Sequence, residues 1–279
     1  MIACANTTSL IYPVAKEAQL VPKGILLALA AFMLVVPAFS VSALAASPTS
    51  TTVAGYQVTG PAGSIPRIKG SWVVPTLSCA TTPDANSSIS VMLDGMSSSD
   101  RMQIGTIAAC QGGVAEYRVF QVMAPTSGKV IIPQVTISAG DVIEAQGKWS
   151  PQTHGWHDQL IDETTGVTKT GSARSPSNFN PPLDSGSFVV SRSGTFPLSD
   201  FGNVGFGASS THVKQTCIVT AVLSNGTTAR VISLGSLATQ SGFTLNQITM
   251  VDSGSATMAT PSPLAKDGES FTVTWNAAS

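Results

Sequence analysis

Apolar and polar positions alternate along this chain in short runs, and beyond residue 54 no stretch sustains a helical stripe. Ile68-Lys69-Gly70-Ser71-Trp72-Val73-Val74, Val130-Ile131-Ile132-Pro133-Gln134-Val135, Cys217-Ile218-Val219-Thr220-Ala221-Val222 and Phe271-Thr272-Val273-Thr274-Trp275 each read as one strand. Turn chemistry separates them at Ser138-Ala139-Gly140-Asp141, Asp162-Glu163-Thr164-Thr165-Gly166 and Ser224-Asn225-Gly226-Thr227. Together with 25 glycines and 17 prolines, this spacing predicts an all-β body, an antiparallel sandwich or barrel.

The first 45 residues follow a different rule. Lys16 and Lys23 precede an apolar run from Gly24 to Val36, Pro37 breaks it, and small residues lead to Ala43-Leu44-Ala45. A basic flank, an apolar stretch and an A-x-A site describe a signal peptide over 1–45, with a retained N-terminal anchor as the other reading. A polar linker is expected over 46–54 and a single β domain over 55–279, because no later linker or internal repeat divides the body. Either reading of the leader places the body outside the cytosol, and the cleaved form is secreted. Contact with a membrane is expected only where the leader stays attached.

Charge narrows the partners. Lys and Arg total 14 against 15 Asp and Glu, and charged residues are 10% of the chain. Losing Lys16, Glu17 and Lys23 with the leader moves the formal charge from −1 to −2. No basic run or aromatic-basic interleaving suggests nucleic acid. A surface of Ser, Thr, Asn and Gly has few carboxylates to protonate, so acid is expected to cost little stability. Cys79 and Cys110 are expected to form a disulfide in an oxidising compartment, and Cys217, within an apolar run, to be a buried small hydrophobe. The remaining cysteine, Cys4, lies in the leader.

Familiar chemical motifs are absent: there is no G-x-S-x-G, P-loop or H-E-x-x-H. His154, His157 and Asp158 surround Trp156. Two histidines three apart on a strand face opposite ways, so an exposed hairpin is expected and no metal site. Asn86-Ser87-Ser88 and Asn225-Gly226-Thr227 fit the glycosylation sequon. Leu183-Asp184-Ser185-Gly186-Ser187 and Val251-Asp252-Ser253-Gly254-Ser255 imitate the two loops of an aspartic peptidase, yet Asp-Ser-Gly is also an ordinary turn.

A distributed set of segments carries more. Gly70-Ser71-Trp72-Val73-Val74-Pro75, Leu93-Asp94-Gly95-Met96-Ser97-Ser98-Ser99 and Met102-Gln103-Ile104-Gly105-Thr106 come first. Ile137-Ser138-Ala139-Gly140-Asp141-Val142-Ile143, Asp162-Glu163-Thr164-Thr165-Gly166 and Asp200-Phe201-Gly202-Asn203-Val204 follow. Ile248-Thr249-Met250-Val251, Ala259-Thr260-Pro261-Ser262 and the run from Asp267 to Trp275 close the series. In this order they resemble the glutamic peptidases, or eqolisins, and the cysteine pair is similar to that of the family's prokaryotic branch.

The resemblance implies two antiparallel sheets in a concanavalin-like jelly roll, with a polypeptide substrate in a cleft across one sheet. It implies no cofactor, and a monomer is expected. The family hydrolyses peptide bonds in acid with a Gln and a Glu on neighbouring strands: the Glu is base then acid, and the Gln orients water and stabilises the oxyanion. Gln103 matches the glutamine; Ser187 falls where the glutamate belongs, in Gly186-Ser187-Phe188-Val189-Val190-Ser191. Asp94 and Gly95 remain of a Trp-x-Gly-x-Asp-Gly motif whose Trp is Ser90 and first Gly is Met92. The aromatic, acidic cleft strand corresponds to Tyr117–Pro125, with the family acid at Val122. Ser90, Asp94, Gly95, Phe120 and Phe188 are therefore expected to line the cleft. The expectation is a peptidase scaffold with its activity lost or impaired. The competing readings are an active enzyme using Gln103 with Asp184, and a lectin-like module binding carbohydrate or peptide.

Overall fold

A computed structural model describes residues 47–279 apart from 96–98, 178, 193 and 224–228. The leader with its cleavage site and Cys4, the turn at 224–227 and the second sequon lie outside the described residues. The described chain folds as two antiparallel sheets packed face to face, a jelly-roll-like sandwich.

The front sheet runs, in spatial order, β7 (Ser127–Ile132), β6 (Val114–Met123), β5 (Arg101–Gln111), β4 (Ala85–Asp94), β11 (Ser185–Arg192), β2 (Val53–Thr59) and β15 (Thr244–Val251). The back sheet begins with β10 (Val167–Arg174), β9 (Gly155–Asp162), β8 (Val142–Ser150) and β3 (Arg67–Val73). Beyond β3 it forks. One branch is β13 (Ile218–Val222) and β14 (Ala229–Ser233). The other is β12 (Asn203–Phe206), β17 (Phe271–Trp275), β16 (Thr257–Pro261) and the far end of β15. A register shift between Met250 and Val251 lets β15 belong to both sheets. Two four-residue helices, α1 (Ala208–Thr211) and α2 (Leu234–Leu237), are the helices among the described residues.

Alternation in the sequence becomes alternation across the pleat. From the front sheet Ile89, Val91, Leu93, Met102, Ile104, Phe188 and Val190 enter the core; from the back sheet Ile68, Trp72, Ile143, Ala145, Trp156 and Leu160 meet them. Glycine sets how closely the sheets approach. A Cβ at Gly70 would stand 2.8 Å from Phe188 Cδ1 and Val91 Cγ1, so the missing side chain is the space that Phe188 fills. The buried Trp72 indole Nε1 donates to Thr106 Oγ1 at 3.0 Å, satisfying the one polar atom of that ring. Cys79 and Cys110 are bonded, with Cα atoms 5.5 Å apart, and Cys217 is buried at the start of β13.

Three sequence expectations need correction. The stretch 46–54 is not featureless: β1 (Thr49–Ser50) pairs in parallel with β15 at Thr249 and Met250, and Val53 and Ala54 already belong to β2. The strand expected over 130–135 covers Ser127–Ile132 and stops before Pro133, which has no N–H for the ladder. Phe188, expected in the cleft, is fully buried between the sheets. The hairpin around His154 is present: His154 lies in the turn against the Pro176 carbonyl at 2.8 Å, and His157 on β9 meets Thr153 Oγ1 at 2.6 Å.

Candidate active site

Gln103 and Ser187 lie in one row across the front sheet. Val122 on β6 pairs with Gln103 on β5, Gln103 with Met92 on β4, Met92 with Ser187 on β11, Ser187 with Gln57 on β2, and Gln57 with Asn246 on β15. Side chains in register across paired strands share a face. The flanking residues Met102, Ile104 and Phe188 enter the core, so this row faces away from it, onto the open side of the sheet. The two strands are not neighbours, as the resemblance implied: β4 lies between them. Gln103 and Ser187 are thus separated by two strand spacings, about 9.5 Å, with Met92 in the middle.

The polar groups in this row are held unequally. Gln103 Nε2 donates to Ser90 Oγ at 3.0 Å, which fixes the amide. Ser187 is 1% exposed, and its hydroxyl has no hydrogen-bond partner among the described residues. The Ser185 hydroxyl on the same face of β11 is in the same condition. Buried hydroxyls without protein partners are uncommon. Gln57 is 7% exposed, a buried amide in a strand of apolar residues.

Met92, Gly95, Arg101, Gln103, Val189 and Ser191 enclose a cavity of about 360 Å³, closed along one side by Ser50, Thr52 and Val53. Gly105, directly after the Gln103-Ile104 pair, keeps the neighbouring row low: a Cβ there would come within 2.6 Å of the Ser90 Cβ. In that row lie Phe120, Gly105, Ser90 and Val189. Phe120 is fully buried beside Ile107, Ala109 and Val122, with Lys129 Nζ 4.4 Å from its ring centre. Desolvation lowers the Lys129 pKa.

Asp94 is one row further along the sheet, opposite Arg101. It serves the backbone: its carboxylate accepts from Leu183 N at 3.0 Å and Asp184 N at 3.1 Å, fixing the loop that feeds β11. Burial raises its pKa to about 6; the N–H bonds from Leu183 and Asp184 oppose this, and the Asp184 charge adds to it. The left-handed backbone at Asp94 (φ 60°) and Gly95 (φ 88°) turns the chain out of β4, which is why a glycine follows the aspartate. Asp184 lies just before β11, three residues from Ser187, and its backbone N–H is one of those held by Asp94. Asp252, its sequence twin, caps a tight turn through Gly254 N and Ala256 N after β15. The two aspartates lie near opposite ends of β15, about 25 Å apart at strand rise, and share no proton.

The sequence marked Gln103, Ser187, Ser90, Asp94 and Gly95, and the fold gathers them on one face. It missed that Met92 stands between Gln103 and Ser187, and that Gln57 and Asn246 extend the row. A glutamine inside Ala54-Gly55-Tyr56-Gln57-Val58 was the available signal. Among the described residues no group of His, Cys, Asp and Glu is placed to hold a metal ion.

The fold has known counterparts. Scytalido-glutamic peptidase, solved with a transition-state analogue inhibitor, superposes with a TM-score of 0.62 at 16% identity, covering 81% of this chain and 99% of that one. SCP-B, an eqolisin solved with the tripeptide Ala-Ile-His, gives 0.61 at 16% identity with the same coverages. Aspergilloglutamic peptidase from Aspergillus niger gives 0.52 at 18% identity, covering 69% and 100%. No curated protein matches this chain in sequence. The model of the Peptidase A4 family matches residues 51–270, nearly the whole described body. A chain matched over that length, with this sandwich, belongs to the Peptidase A4 family, the glutamic peptidases.

Proposed function

We propose that this protein keeps the peptidase scaffold and its polypeptide-binding face, and has lost efficient acid hydrolysis of peptide bonds. The row Gln103, Met92, Ser187 is the observation that supports this. Two of its three members differ from the family pattern, and their effects coincide. A serine hydroxyl takes no proton from water in acid and gives none to a leaving amine; loss of a positioned acid/base group costs about 10² to 10⁴ in rate. Met92 replaces a family glycine at the midpoint between the two catalytic positions. A glycine leaves the floor of the row open for the attacking water, whereas a methionine fills it.

Among the described residues, Asp94 does not replace the missing carboxylate in this reading. Asp94 is nearest along the sheet, but its oxygens are committed to the Leu183 and Asp184 N–H groups, and it is 0% exposed. Gln103, fixed by Ser90, retains a donor amide that suits a peptide carbonyl. In this reading the open face binds an extended polypeptide and does not turn it over. The leader and the Cys79–Cys110 disulfide fit export to an oxidising compartment.

The test is proteolysis of a denatured protein substrate between pH 2 and 6. The unmodified chain and Gln103→Ala are expected to give the same background. Ser187→Glu combined with Met92→Gly is expected to gain activity, and the further loss of Gln103 to remove it. Robust cleavage by the unmodified chain, abolished by Gln103→Ala, would sink the proposal.

A further inference from the structure

The back sheet carries a second concavity, on the face away from the core. Arg67 on β3, Lys148 on β8, His157 on β9 and Ser172 on β10 are successive cross-strand partners and form one wall. Gln146, Gln159 and Thr170, one row along on the same strands, form the other wall. Between the rows the floor is the backbone of Gly147, Asp158 and Gly171, and the trough encloses about 360 Å³.

Its charge is uncompensated. Like charges directly opposite on a sheet repel, and a chain with only 10% charged residues nonetheless sets Arg67 against Lys148, with His157 next. The acid on this face, Glu144, pairs with Lys69 at 2.7 Å. Neither Arg67 nor Lys148 has a carboxylate within ion-pair distance among the described residues. The Arg67 guanidinium donates to Gln146 Oε1, and Gln146 Nε2 donates to Gln159 Oε1 at 2.5 Å. This relay orients both amides and leaves the Gln159 NH₂ as its terminal donor. The trough therefore offers cations along one wall and amide and hydroxyl groups along the other.

We propose that this trough binds a linear acidic polysaccharide of the polyuronate class, its carboxylates on the Arg67–Lys148–His157 wall and its hydroxyls on the Gln159–Thr170 wall. Length argues for a polymer, because the trough crosses four strands, about 14 Å at strand spacing, and a single small anion fills one end. The second wall argues for sugar, because amides and hydroxyls match a chain that carries a hydroxyl-rich edge beside each carboxylate. An acidic polypeptide added as a strand would pair along the outer edge of β10, which lies across the end of the trough and not along its walls, since β9, β8 and β3 are paired on both edges. The trough is on the opposite sheet from Gln103, so the proposal stands or falls separately from that for the front face.

Titration calorimetry of the full chain with a galacturonate oligosaccharide at low salt tests it. Binding is expected, weakened roughly tenfold by Arg67→Ala with Lys148→Ala and a few-fold by Gln159→Ala. Lys148→Arg should restore most of the loss when Arg67 is present. No binding at millimolar ligand overturns the proposal. So does equal binding of the fully methyl-esterified oligosaccharide, which removes the charge. Equal affinity for poly-glutamate or inorganic phosphate overturns the assignment to a glycan.

Discussion

Acidification should stabilise this protein, and Asp158→Asn should remove a defined part of that effect. Asp158 sits on the core side of β9 and is 6% exposed; one carboxylate oxygen, Oδ2, has no partner among the described residues. Burial raises its pKa from 3.8 to about 6, against a smaller opposing bond from Gly171 N–H. The folded state then holds its proton more tightly than the unfolded state does. The contribution is fully present below pH 3.8 and is lost as pH rises through about 6. Its size is about 3 kcal/mol, or about 6 to 12 °C in Tm for a body of this length. Asp94, raised to about 6 by burial, adds in the same direction. Asp267 opposes them: burial pushes its pKa up, but hydrogen bonds from Ser209 and Ser270 and from the Glu269 and Ser270 N–H groups outweigh this and hold it at about 2. Because Asp267 is exposed, solvent screening makes its contribution small. Thermal melts from pH 3 to 8, followed by circular dichroism, provide the assay. Asp158→Asn should melt well above the unmodified chain at pH 7 and converge with it near pH 3. Parallel Tm curves for the two proteins, or a Tm that falls from pH 7 to pH 4, would refute the reasoning.

Other outcomes follow from single contacts. Replacing Cys79 and Cys110 with serine opens a loop spanning 31 residues of sequence and should cost about 3.5 to 4 kcal/mol; urea denaturation with and without reductant measures it, and the unmodified chain in reductant should match the variant. Thr106→Val keeps the shape but removes the acceptor of the Trp72 indole, and should cost about 1 to 3 kcal/mol in the same experiment. Asp94→Ala strips the Leu183 and Asp184 N–H groups of their acceptor. Amide exchange should rise first at 183–187 and only later in β5, reporting a loosened entry to β11.

Fold class was legible because pleat periodicity is local. Phe271-Thr272-Val273-Thr274-Trp275 reads as a strand from five residues, and it is β17 with the same bounds. Gln103, Ser90, Asp94 and Ser187 were legible through order along the chain, since family segments retain their succession even where each is weak. Phe188 shows the limit. Its place beside Ser187 in the sequence suggested the cleft, but neighbours on a strand face opposite sides, and the glycine that makes room for it, Gly70, is on the other sheet. The 46–54 stretch shows another: Thr49 and Ser50 become a strand only because β15 presents an edge for them.

The sequence by itself determined the alternation that makes two sheets, the two cysteines that fasten the loop before β4 to β5, and the absence of a carboxylate at position 187. Those depend on residue identity and on spacing within a few positions. Only the tertiary structure decided that Met92 stands between Gln103 and Ser187, that Asp94 secures the entry to β11, and that Arg67, Lys148 and His157 share one wall. Each is a relation between strands distant in sequence. Register is set by hydrogen bonding across the whole sheet and by which faces the core buries, so no local pattern could state it.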